Sequence, residues 1–197
     1  MGFRDLRAFN LALLAKQGWR IQQNQNSLVH RIFKAKYFAM NSFLEAQLRS
    51  RPSYIWRSIV AVKEIIETGS RWNVGNGERV QIWRDWWLLT SESFKVISPR
   101  TTHPNSEMMA SFINLETGSW DVTKVRNMFL PHEAQVILGI PISHRLPNDS
   151  LIWAWTPNGK FTVNHAYKVA QKCLQDGQHK TEGGTTLTAR VCKLFRS

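Results

Sequence analysis

Apolar residues in the first third of the chain recur every three or four positions, the spacing that puts them on one face of a helix. Asp5 is placed to cap a first helix whose inward stripe is Leu6, Phe9, Leu13 and Leu14 and which ends near Gly18. Ser27 caps a second, with Leu28, Ile32, Phe33 and Tyr37 on one side and Arg31, Lys34 and Lys36 facing outward together on the other. Pro52-Ser53 opens a third, in which Ile55, Trp56, Ile59, Val62 and Ile66 recur at helical spacing. Glu64 and Glu67 lie in its last turn, unfavourably for the helix dipole, and Gly69 follows as a C-terminal cap.

At Arg71 the period shortens from helical to alternating. Trp72 and Val74 before Gly75-Asn76-Gly77, and Val80 and Ile82 after it, predict a β-hairpin turning on residues that tolerate positive φ. Trp83, Trp86 and Trp87 then form an aromatic plug, because a two-stranded hairpin is marginal in water without a surface to pack on. Beyond Leu88 the Ser, Thr and Pro content from Thr90 to Ser106 reads as a linker. Three short helices follow. Ser106 caps one carrying Met108, Met109, Phe112 and Ile113, Asp121 caps one with Val122, Val125 and Phe129, and Pro131 begins one that Gly139 closes. Leu151 to Trp155 and Phe161 to Val163, joined by Thr156-Pro-Asn-Gly-Lys160, predict a second hairpin. Asn164 caps a helix to about Leu174, with Tyr167 and Val169 or Ala170 inward. The class expected is α+β. The segments are a basic helical connector over 1–68, the Trp-rich hairpin over 69–89, linker and short helices over 90–146, a hairpin leading into a helix over 147–174, and a Gly- and Thr-rich tail over 175–197 that reads as disordered or divergent.

Charge changes this picture more than composition does. The chain has 197 residues, enough for one domain or two small ones, and a net charge of +12. Residues 1–63 hold eleven Lys or Arg against Asp5 and Glu45, so this third carries +9 of the +12. Cations interleaved with Trp and Phe are the footprint of a surface that follows a phosphate backbone. Arg4, Arg7, Lys16, Arg20, Arg31, Lys34, Lys36 and Arg57 are the candidate nucleic-acid-binding residues, for RNA or DNA without regard to sequence. A protein partner docking on the Trp cluster is the competing reading. The longest purely apolar run, Leu11 to Ala15, is far short of the roughly 20 residues that cross a bilayer, so no membrane partner is expected. No secretory signal is present, and nucleus or cytoplasm remain open as compartments.

Candidate chemistry is sparse. Cys173 and Cys192 form no Cys-x-x-Cys pair, the six His lie far apart, and the acids are scattered singly. No phosphate loop, Gly-x-Gly-x-x-Gly or Gly-x-Ser-x-Gly occurs. The sequence therefore offers no catalytic residue, no metal ligand and no cofactor site. Asn148-Asp149-Ser150 is a glycosylation sequon without evident use.

Met1 to Arg20, Leu28 to Phe38, Pro52-Ser-Tyr-Ile-Trp-Arg-Ser-Ile59, Arg71-Trp-Asn-Val-Gly-Asn-Gly77 and Ile82-Trp-Arg-Asp-Trp-Trp-Leu88, in this order, resemble the region downstream of the polymerase domain in plant non-LTR (LINE-type) retrotransposon reverse transcriptases. Leu151-Ile-Trp153 and Gly159-Lys-Phe-Thr-Val-Asn-His-Ala-Tyr167 resemble the opening of that family's reverse-transcriptase zinc-binding domain. The resemblance covers roughly residues 1–174 and implies a family parent that is an RNA-directed DNA polymerase. It also implies that the Tyr-x-Asp-Asp loop of that polymerase belongs upstream of Met1 and its Cys/His cluster downstream of about residue 174, so that no catalytic or zinc-binding residue carries over. The expectation is a non-catalytic, truncated retroelement fragment, not an enzyme; a decayed product without function is the remaining alternative.

Overall fold

The computed structural model describes residues 5–48, 51–89, 94–99 and 108–179. The chain is α+β, as its pattern indicates, and it forms two compact units: residues 1–69 with 153–197, and residues 70–152. The second unit is therefore an insertion in the first.

The first unit begins with α1 (Leu6–Gln23), capped by Asp5, whose carboxylate accepts from Arg7 N at 2.8 Å and Ala8 N at 3.1 Å. The cap falls where the sequence places it, but the buried face does not. Ala8, Leu11, Ala12, Ala15, Gly18 and Trp19 are buried, while Leu6, Phe9 and Leu13 are exposed. Small residues face inward because a neighbouring helix comes close: a Cβ on Gly18 would lie 2.6 Å from Ile66 Cδ1. For the same reason Gly18 lies inside α1 and does not end it.

Ser27 caps α2 (Leu28–Tyr37) through His30 N at 3.2 Å. Here too the inward face is rotated from the expected one: His30 and Tyr37 are buried and Phe33 is half-buried, whereas Leu28 and Ile32 stand in solvent. His30 Nδ1 meets Ile21 O at 2.7 Å and its ring meets Phe38 edge-on, which satisfies a polar group in an aromatic setting. The single third helix divides at Val62 into α3 (Tyr54–Ala61), capped by Ser53, and α4 (Lys63–Gly69). Trp56 on α3 is fully buried and stacks on Tyr37 with ring centroids 4.6 Å apart. Phe33, Phe38 and Phe43 complete that aromatic pile.

The returning segment supplies Trp153 and α7 (Val163–His179). Trp153 packs on Trp19 and Phe161, and Ala166, Val169, Ala170, Cys173 and Leu174 of α7 are buried. The expected return strand at Phe161–Val163 is absent; Trp153 N instead bonds Gly159 O at 2.8 Å in a compact turn. Thr162, not Asn164, occupies the capping place, its Oγ1 accepting from His165 N at 3.3 Å. Gly69 closes α4 for a packing reason: a Cβ there would fall 2.0 Å from the Trp153 ring.

The second unit corrects the first hairpin as well. β1 (Ser70–Asn73) pairs with β4 (Ser150–Trp153), far along the chain, and residues 75–79 are a bend. The cause is Asp149. Its buried carboxylate accepts from Gly75 N at 2.6 Å, Gly77 N at 2.9 Å and Arg79 N at 2.8 Å, so the loop closes round a side chain and not back on its own strand. Gly75 lies against Pro147 O, and Gly77 has φ +74° beside the Ala110 backbone, so neither position admits a Cβ.

Val80, Ile82, Trp87, Leu88, Met109, Phe112, Val125, Phe129 and Ile137 form the core of this unit. Residues 109–112 make a short 3-10 turn where a helix is expected, followed by a two-residue ladder of β2 (Ile113–Asn114) and β3 (Ser119–Trp120). The cap assigned to Ser106 lies outside the described residues. α5 (Val122–Met128) and α6 (Pro131–Leu138) form with the expected Asp121 cap and Pro131 start. Glu133 on α6 is fully buried and accepts from Ile97 N, Ser98 N and Ser98 Oγ, fastening residues 97–98 to this core.

Candidate nucleic-acid interface

Three helices of the first unit carry the candidate residues. α1 contributes Arg7, Lys16 and Arg20, α2 contributes Arg31, Lys34 and Lys36, and α3 contributes Arg57; none of these helices contains Asp or Glu. Arg7 is half-buried and the other six are exposed. Arg4 lies outside the described residues.

Helical geometry groups these cations unevenly. At about 100° per residue, Lys16 and Arg20 are one turn apart on the same side of α1, whereas Arg7 is half a turn round from Lys16. Arg31 and Lys34 neighbour each other on α2, but Lys36 points roughly opposite to Lys34 by the same rule. Its ammonium sits over the Tyr37 ring, 5.3 Å from the centroid. Arg57 lies over Tyr54 at 5.5 Å. Two pairs, Lys16 with Arg20 and Arg31 with Lys34, are thus each presented to one side, and Lys36 and Arg57 lie against aromatic rings.

The Trp residues take a structural part. Trp87 is buried and donates from Nε1 to Ile82 O at 2.9 Å, and Trp72 and Trp83 are partly buried against the core of the second unit. Trp86 is half-buried with Lys95 Nζ 4.7 Å above its ring.

Cys173 is buried, and burial pushes its thiol up to about 11. Among the described residues no group of three or more His, Cys, Asp or Glu side chains could hold a metal ion, and no helix is long and apolar enough to cross a membrane.

A groove of about 580 Å³ runs between α1, α2 and α3, floored by Leu14, Ile21, Phe33 and Ile59 and edged by Val29 and Ile55, with Arg20 at its lip. Of the exposed apolar residues of α2, Val29 lines it, whereas Leu28 and Ile32 do not.

The chain is similar to two proteins of Arabidopsis thaliana. It is 40% identical over 89 residues to "Uncharacterized mitochondrial protein AtMg00310", a match covering 45% of this chain and 58% of that protein. It is 26% identical over 177 residues to "Putative ribonuclease H protein At1g65750", covering 86% of this chain but only 28% of that protein. The chain thus spans about a quarter to just over half of the length of these relatives. No family model and no solved structure matches it.

Proposed function

We propose that the chain is a non-catalytic segment of a plant LINE-type retroelement polyprotein, and that its helical unit holds RNA or DNA by the backbone without reading sequence. The observation that carries the binding reading is the composition of α1, α2 and α3: seven Lys or Arg, six of them exposed, and no acid. Such a surface attracts phosphates by releasing their counterions, and it lacks the like charges that would repel them. The retroelement reading is supported by the ordered resemblance over residues 1–174 and by similarity to a plant protein that carries a ribonuclease H name. The ribonuclease activity in that name is not carried to this chain, which spans 28% of that protein.

Fluorescence anisotropy with a labelled duplex and a labelled single strand, titrated between low and high salt, tests the binding. Affinity should fall linearly in log–log form and should differ little between unrelated sequences. Replacing Arg31 and Lys34 together by Ala should reduce the slope on duplex DNA by about 1.8, at roughly 0.9 per lost phosphate contact. A slope unchanged in that variant rules out this face, and strong preference for one sequence rules out backbone recognition. Primer extension and hybrid-cleavage assays with divalent cations should give no product; turnover in either assay overturns the non-catalytic reading.

A further inference from the structure

We propose that the groove between α1, α2 and α3 is a docking site for an acidic amphipathic helix of a protein partner. The groove is concave and about 580 Å³, within the roughly 300–1,000 Å³ of built binding sites. Its walls are three helices, the arrangement into which an amphipathic helix lays residues at i, i+3 or i+4, and i+7. Around it stand large apolar side chains in solvent: Val29 is 53% exposed, Ile55 65% and Tyr54 76%. Scattered apolar residues on a surface need no explanation, but apolar residues converging on a concavity mark a contact surface.

Charge sets the chemistry of the occupant. Arg20 is at the lip, and the three helices that build the groove carry cations and no Asp or Glu. A helix with an aliphatic face and Asp or Glu on its flanks satisfies both the floor and the field around it.

The same field attracts nucleic acid, so the floor decides between them. Bases are held by stacking on open aromatic faces. The floor offers aliphatic Leu14, Ile21 and Ile59, and the Phe33 ring is already stacked on Trp56 and Tyr37, with centroids 5.4 and 5.9 Å away. Arg57 likewise occupies a face of Tyr54. The buried part of the lining thus suits aliphatic side chains better than bases, and Gln17, Asn24, Ser27 and Ser58 in the same lining suit the polar flanks of a helix. Backbone binding through Lys16, Arg31 and Lys34 is a separate matter, with Arg20 the candidate residue that the two proposals share.

The test uses the whole chain and synthetic labelled helices of about 15–18 residues, long enough for two or more turns of contact. One peptide carries Leu at i, i+3, i+7, i+10 and i+14 with Glu and Asp elsewhere; a second keeps the Leu positions with Lys elsewhere; a third scrambles the first. The acidic amphipathic peptide should bind saturably and at least tenfold more tightly than either of the others. Val29→Ser with Ile55→Ser, two exposed positions that change no charge, should weaken it tenfold or more. Arg20→Glu should weaken the acidic peptide and favour the lysine one. Leu115→Ser, an exposed apolar site in the second unit, should change nothing. Circular dichroism of each variant confirms that the helices are intact, and an anisotropy titration with oligothymidylate runs in parallel. Equal binding of acidic and scrambled peptides overturns the proposal, as does parental affinity in the Val29/Ile55 variant. So does loss of oligothymidylate binding in that variant while peptide binding stays unchanged, which would give the groove to nucleic acid.

Discussion

Asp149 shows how one side chain redirects a stretch of fold. A buried carboxylate is tolerated only when its oxygens are satisfied, and here three backbone N–H groups converge on them within 3.0 Å. The loop Gly75-Asn76-Gly77 has hairpin chemistry, yet wrapping Asp149 satisfies these three donors together, and β1 pairs elsewhere. Asp149→Asn keeps one acceptor oxygen and replaces the other with an amide that faces a donor. It should destabilise the second unit by about 1–3 kcal/mol, and Asp149→Ala by more, since the buried N–H groups of Gly75 and Gly77 then lose their partner. Amide exchange at Gly75, Gly77 and Arg79 should accelerate in both variants; unchanged protection at these three amides would remove Asp149 as the cause of the loop. Nothing local in the sequence announces this bond. Asp149 is 70 to 74 residues from its partners and reads there as the middle of a sequon. Asp5 and Ser27, by contrast, were legible because a helix cap bonds within three residues of itself.

At the scale of elements, helix existence was written in the spacing, and helix orientation was not. α1 buries Leu11 together with Ala8, Ala12, Ala15 and Gly18 and leaves Leu6 and Leu13 exposed, although hydrophobicity alone favours burying every Leu. Close approach of α4 reverses that preference, because only small side chains fit where Gly18 meets Ile66. Gly69 follows the same rule against Trp153, so Gly69→Ala should overpack this contact. A cost of about 1–3 kcal/mol is expected, and more if the indole cannot shift. Cys173 offers a reporter in the same unit: it is 8% exposed and its thiol is pushed up to about 11, so at pH 8 it should resist alkylation until the unit opens. In a Cys192→Ser background, which leaves one thiol, Gly69→Ala should raise the alkylation rate of Cys173 at pH 8 severalfold or more. A rate equal to that of the parent would mean that the Trp153 contact has room for a methyl group. The candidate interface was legible to a similar degree: the cations could be counted and paired from their spacing, but which way each pair faces relative to the core depended on faces that the apolar pattern misassigned.

For the whole molecule the decisive fact is that the first unit is made from both ends of the chain while the second lies between them. α7 and Trp153 are part of the core that α1 and α4 build, and without them Trp19 and Gly69 would lie beside a void or in water. Burial of Trp153, Val169, Cys173 and Leu174 contributes on the order of 10 kcal/mol before entropy, at about 1.5–3 kcal/mol for each large side chain. That rivals the whole net stability of a domain, about 5–15 kcal/mol. Ending the chain after Ile152 should therefore unfold α1 to α4, although every residue of those helices remains. The second unit keeps its own core of Val80, Ile82, Trp87, Phe112 and Phe129, together with the Asp149 and Glu133 bonds, and should remain folded. Hydrogen exchange on residues 1–152 should show α1 to α4 unprotected and the Val80 to Ile137 core protected. Native-like protection of α1 in that shortened chain would mean that the N-terminal helices form a core of their own. Nucleic-acid binding then separates charge from shape: the cations of α1–α3 are all present in the shortened chain, so salt-dependent affinity should persist in weakened form. Binding of the acidic helical peptide needs the walls of the groove and should disappear.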